Sequence, residues 1–219
     1  MGGFTMDHIV TYRKNEDPLI PAYVSVNGFE TPVWNQSRWT EGPYARYVQR
    51  NGCGHCCAGM AARLHGVEID PGMEFDTCVM LWDEPDEHHG WFQTVRGIAS
   101  ILSSYGITAS AFGVPEDPEE LSYTGNLMES ALACGHQVIF WSHPYYEDNP
   151  FSKGEHYVMA AGYDDKGHIV IANSGAGIQL VSMDDILKAV YRGSTASVTG
   201  WGIVNEKEDF RDCSGIVIV

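Results

Sequence analysis

The spacing of apolar residues changes at Gly135, and that change limits the folds open to the chain. Before Gly135 apolar residues recur every three or four positions, as in a helix that buries one side. After it they alternate or form short unbroken runs, as in strands. The first clear helix is expected from about Cys53 to His65, with Cys57, Met60, Ala61 and Leu64 on one side and Gly66 as its stop. A second is expected after Gly90, where Trp91, Val95, Ile98, Leu102 and Tyr105 keep a helical stripe up to Gly106, and a third within Pro118 to Cys134. Beyond Gly135 come the strand-like runs QVIFWS, HYVMAAGY, HIVIAN and IQLVS, a short helix from Met183 to Tyr191, and VTGWGIV. Helices followed by a sheet predict an α+β class, with an N-terminal helical part packed on a C-terminal antiparallel sheet. Residues 1–30, broken by Asp17-Pro18 and the hairpin signal Asn27-Gly28, read as an extension to a single domain over 31–219.

The turn Asp164-Asp165-Lys166-Gly167 predicts that HYVMAAGY and HIVIAN form a tight hairpin. The start of one strand then lies beside the end of the other, which brings His156 next to Asn173. An imidazole needs such a partner to fix its tautomer and ring orientation before it can serve a nucleophile. The nucleophile is offered by NGCGHCCAGMAARLHG, Asn51 to Gly66, where cysteines stand between a glycine-rich turn and a helix start. Unbonded N–H groups and the positive end of the helix dipole favour a thiolate there, so Cys53 is expected to ionise well below the usual value of about 8.5 and to alkylate quickly near pH 6.

Composition narrows the alternatives. A net charge of −16 excludes nucleic acid and an anionic membrane surface as partners, since both need clustered Lys and Arg. The apolar runs VIFW, IVIA and GIVIV fall far short of the roughly 20 residues of a membrane span, and MGGFTMDHIV lacks the features of a signal peptide. Of the six cysteines, Cys53, Cys56 and Cys57 are too crowded to bridge one another easily and Cys78, Cys134 and Cys213 are scattered, so a mostly reduced chain is expected. His55, Cys56 and Cys57 beside Cys53 raise a zinc site, but no second ligand pair of matching spacing follows, and His88-His89 sits in an acidic loop. No metal and no cofactor are expected.

The segments PVWNQSRW, GPY, NGCGHCCAGMAARLHG, GHQVIFW and GEHYVMAAGYDDKGHIVIANSG together resemble the papain-like cysteine peptidases related to bacteriocin-processing, double-glycine leader peptidases, most closely their stand-alone branch. The resemblance runs from about Thr31 to Val204. It implies a papain-like fold, a peptide or protein substrate, Cys53 as nucleophile, His156 as base, Asn173 as the residue orienting it and Gln36 as an oxyanion donor. The chain departs from the pattern after Gly54, where Gly-Pro is usual and His55, Cys56 and Cys57 stand instead. Cys53-Gly54-His55-Cys56 also matches the C-G-x-C spacing of papain, in which the second cysteine reacts. The upstream N-Q…W…P-Y run favours Cys53 over Cys56, and Gln49 is a second glutamine near the nucleophile. The same residues would support acyl transfer to an amine or thiol, and a chain that kept only the fold would be a binding module.

Overall fold

The computed structural model describes residues 8–82, 95–112, 118–142, 149–190 and 215–219. The chain opens with β1 (Thr11–Lys14), β2 (Ala22–Val26) and β3 (Phe29–Val33), an antiparallel three-stranded sheet. Asn27 and Gly28, with φ of 53° and 86°, form the two-residue turn that sets Val26 opposite Phe29. The helices α1 (Ala45–Asn51), α2 (Cys53–Leu64), α3 (Pro71–Trp82) and α4 (Val95–Ser104) follow. Then come β4 (Ala109–Phe112), α5 (Pro118–Ala133), β5 (Gln137–Ser142), β6 (His156–Tyr163), β7 (Ile169–Asn173), β8 (Gly177–Val181), α6 (Met183–Val190) and β9 (Gly215–Ile218). The second sheet is antiparallel, in the order β4-β9-β5-β6-β7-β8.

The expected α+β class is thus realised, with helices on a mostly C-terminal antiparallel sheet. Its two faces bury different residues. Tyr157, Met159 and Ala161 of β6 and Val170 and Ala172 of β7 face α2, α4 and the small sheet. Val158, Ala160, Ile169 and Ile171 face α5 and α6. This is the period-two alternation of a strand buried on both sides.

Several features differ from the sequence reading. The boundary expected between residues 30 and 31 falls inside β3, and Val10, Ala22, Val24 and Val26 share the core with α2. Val10 N–H donates to Tyr163 O at 2.8 Å and Ile9 bridges to Tyr163, so residues 8–30 are built into the fold. Helix α2, expected to bury one side, is buried all round as far as Ala62, because Gly54, Ala58, Gly59, Ala61 and Ala62 let neighbours approach closely. Helices α1 and α3 and strands β4 and β9 were not anticipated. The acidic loop with His88-His89, the start of the second helix and VTGWGIV lie outside the described residues.

A single irregularity in β6 decides which way its first residue points. Beyond the hairpin turn the pairs are Tyr163 with Ile169 and Gly162 with Val170; past an extra residue they become Ala160 with Ile171 and Met159 with Ala172. Cross-strand partners share a face, so a straight ladder would put Asn173 opposite Met159 and His156 on the other face. One rung beyond the Met159–Ala172 pair, the shifted register sets Asn173 on the face of His156. Gly162 allows this with φ of 143°, and a Cβ there would lie 2.7 Å from Val10 Cγ2. Gly162→Ala is therefore expected to cost about 1–3 kcal/mol, read as a lower urea midpoint at unchanged slope.

Candidate active site

Cys53 is positioned by Gly52, the one residue between α1 and α2. The Gly52 N–H closes α1 on Val48 O at 2.8 Å, and its carbonyl accepts the Cys56 N–H at 2.8 Å to open α2. A Cβ at Gly52 would stand 2.4 Å from Val48 O, so only glycine permits the junction. Cys53 is thereby the first residue of α2 and is 8% exposed. The backbone N–H groups of Tyr157 and Gly54 approach its sulfur and favour its charged form. Burial nevertheless pushes the thiol up, and the Glu155 carboxylate adds to that. The lowered ionisation expected from the helix start is reversed by desolvation, which outweighs the hydrogen bonds.

The Tyr157 amide on the Cys53 sulfur is one peptide unit from His156. His156 occupies the last rung of the β5–β6 ladder, opposite Ser142, and is 7% exposed. Its Nε2 lies 2.8 Å from Asn173 Oδ1. The amide orientation of Asn173 is settled by its other partners. Asn173 Nδ2 donates to Phe151 O at 3.0 Å and to Gln179 Oε1 at 2.7 Å, while Oδ1 also accepts Gly175 N–H at 2.8 Å. Gln179 is in turn fixed by donating to Pro150 O at 2.6 Å. With the oxygen of Asn173 committed to the imidazole, His156 Nε2 carries the proton and Nδ1 carries the lone pair. Burial pushes His156 down, opposed by the bond to Asn173.

Gln36 begins a short 3-10 turn, Gln36–Arg38, capped by Asn35 Oδ1 on Ser37 N–H at 3.2 Å. Two bonds join it to the residue after Asn173: Gln36 N–H donates to Ser174 O, and Gln36 Oε1 accepts the Ser174 hydroxyl, both at 3.0 Å. With Oε1 taken, Nε2 is the end left to meet a ligand. Gln49 instead donates Nε2 to Trp39 O at 2.6 Å. The structure therefore gathers Cys53, His156, Asn173 and Gln36 around the open end of β6 and β7. Sequence reasoning missed Ser174 and Gln179, whose only signal is a polar residue directly after Asn173 and another within the apolar run of β8.

Two fully buried side chains lie under Cys53. His55 Nδ1 is hydrogen bonded to Glu74 of α3, with Tyr47 and Phe75 rings around the imidazole. Cys56 and Cys57 are also fully buried, and burial pushes both thiols well up. Among the described residues no cluster of three or more His, Cys, Asp or Glu could hold a metal, and no helix is long and apolar enough to cross a membrane.

No family model and no curated protein matches the sequence. Solved structures similar to this chain include the following two. A protein described as a C39-like peptidase from Bacillus anthracis is 12% identical, with a TM-score of 0.48 over 77% of this chain and 88% of that one. A double-glycine motif protease from an AMS/PCAT transporter, in complex with the leader peptide, is 13% identical, with a TM-score of 0.39 over 76% of this chain and 81% of that one.

Proposed function

We propose that this chain is a papain-like cysteine peptidase that cleaves a peptide or protein substrate through an acyl-enzyme on Cys53. The observation that carries the reading is the locked chain from Pro150 O through Gln179 and Asn173 to His156 Nε2, which leaves Nδ1 as the base on an imidazole whose chain neighbour, Tyr157, turns its amide to the Cys53 sulfur. Nδ1 takes the thiol proton as the sulfur attacks the carbonyl carbon, and later gives it to the departing amine. The carbonyl oxygen, gaining charge, is met by the Cys53 N–H and by Gln36 Nε2. Water then resolves the thioester, with Nδ1 again as base. Transfer of the acyl group to an added amine would use the same residues and show as a competing product.

The test is cleavage of a peptide library together with a peptidyl fluoromethyl ketone. New termini in the library and a thioether on Cys53 are expected. An untouched library with adducts scattered over the cysteines would sink the reading, and a fast adduct on Cys56 would move the nucleophile there.

The pH dependence follows from burial. The active pair holds one proton; it gains a second when His156 is protonated and loses the first when Cys53 ionises. Burial holds His156 below its ordinary 6.5 and Cys53 above its ordinary 9.0. A bell-shaped profile of kcat/KM is expected, with the acid limb below 6.5 and the alkaline limb above 9.0, so that activity is level across neutral pH. A profile still rising between pH 7 and 8 would contradict this.

A further inference from the structure

The first turn of α2 also carries a chemistry that peptide hydrolysis does not use. Cys53 and Cys56 form a Cys-x-x-Cys pair opening a 12-residue helix, with Cys53 8% exposed and Cys56 fully buried. Both are reduced. In this arrangement an outer thiol exchanges with an external disulfide and the inner thiol resolves the adduct. We propose that Cys53 and Cys56 are a redox-active dithiol that reacts with small-molecule disulfides, such as glutathione disulfide, and closes to a disulfide within α2. Closure takes the peptidase nucleophile out of use; only that consequence rests on the function proposed above.

Spacing selects Cys56 over Cys57 as the resolving partner. On a helix, Cβ atoms three or four residues apart lie about 5–6 Å from each other, while a disulfide needs about 3.5–4.5 Å. A bridge therefore requires the first turn of α2 to tighten, and Cys56, inside that turn, is reached with the smaller change. The adjustment falls on the first turn of α2, the end of a helix least held by its own i→i−4 bonds. The surroundings of Cys56 favour keeping its proton until it is needed. Burial pushes the Cys56 thiol up and the nearby Glu74 carboxylate, bonded to His55, adds to that. Since neither sulfur is held as a thiolate, the reduced pair lacks the charge stabilisation that makes some dithiols strong oxidants. The closed form should therefore persist until a strong dithiol reductant is supplied.

The steps balance. The Cys53 thiol gives up its proton as its sulfur attacks one sulfur of glutathione disulfide, forming a mixed disulfide and releasing one glutathione, which takes up that proton. The Cys56 sulfur then attacks Cys53 sulfur, and its proton leaves with the second glutathione. Two protein thiols are oxidised to one disulfide and one glutathione disulfide is reduced to two glutathiones.

The experiment treats the full chain with glutathione disulfide, blocks remaining thiols and maps the product by mass. Expected is the loss of two hydrogen masses in the peptide carrying Cys53 and Cys56, reversed by dithiothreitol, with any adduct on the exposed Cys134 mapped separately. Cys57→Ala should still close, whereas Cys56→Ala should stop at a glutathione adduct on Cys53. A lasting adduct on Cys53 in the unaltered chain, a Cys53–Cys57 bridge, or no reaction at Cys53 would overturn the proposal. The mapping needs no peptide hydrolysis: a closed bridge in a chain that never cleaves peptides would refute the peptidase reading and leave the dithiol standing.

Discussion

His156→Ala is expected to lower kcat/KM for peptide cleavage by about 10⁶-fold, the scale seen when the base of a nucleophile–base pair is removed. The loss should be large here because burial holds the Cys53 thiol protonated, so no standing thiolate can react without a base. Folding should suffer little. Asn173 Oδ1 keeps the Gly175 N–H, and Asn173 Nδ2 keeps Phe151 O and Gln179. One lost hydrogen bond corresponds to about 1 kcal/mol. The checks are initial rates on the best library substrate and a urea midpoint for the same preparation. A variant folded as before and active within about tenfold of the parent, that is within ~1.4 kcal/mol of transition-state stabilisation, would place the base elsewhere.

The parts of this site that were legible in the sequence are those set by local rules. The helix start at Cys53, the hairpin at Asp164 to Gly167 and the Asn27-Gly28 turn follow from neighbouring residues, and the structure contains all three. What was hidden depends on contacts between distant segments. Strand β9, from residues 215–218, enters between β4 and β5, a pairing no local period reveals. The thiol of Cys53 rises because α2 is enclosed by β3, β6 and the neighbouring helices, whereas its sequence shows only a helix terminus. The meeting of His156 with Asn173 was anticipated from the hairpin's length, yet strict alternation would have set them on opposite faces. The bulge beside Gly162 brings them together, and a lone glycine in an apolar run was its only trace.

The glutamines give the second large effect. Gln36→Ala is expected to reduce kcat/KM by about 10²–10³-fold, or roughly 2.7–4 kcal/mol, through kcat, because an oxyanion contact forms only as the carbonyl oxygen gains charge. The orientation of the amide is the basis for the size. The Ser174 hydroxyl occupies Gln36 Oε1 and the Ser174 carbonyl holds the Gln36 N–H, so Nε2 is presented in one direction without reorganisation. Cys53 should still react with a small alkylating agent at its usual rate, since that reaction develops no charge on a carbonyl oxygen. Gln49→Ala should behave in the opposite way. Its Nε2 is spent on Trp39 O, so the loss falls on stability, about 1 kcal/mol, with kcat within a few-fold of the parent. Should Gln49→Ala depress kcat while Gln36→Ala only lowers the urea midpoint, the Ser174 hydroxyl is a structural tie alone, and the oxyanion donor is Gln49, on the last turn of α1 just before the start of α2.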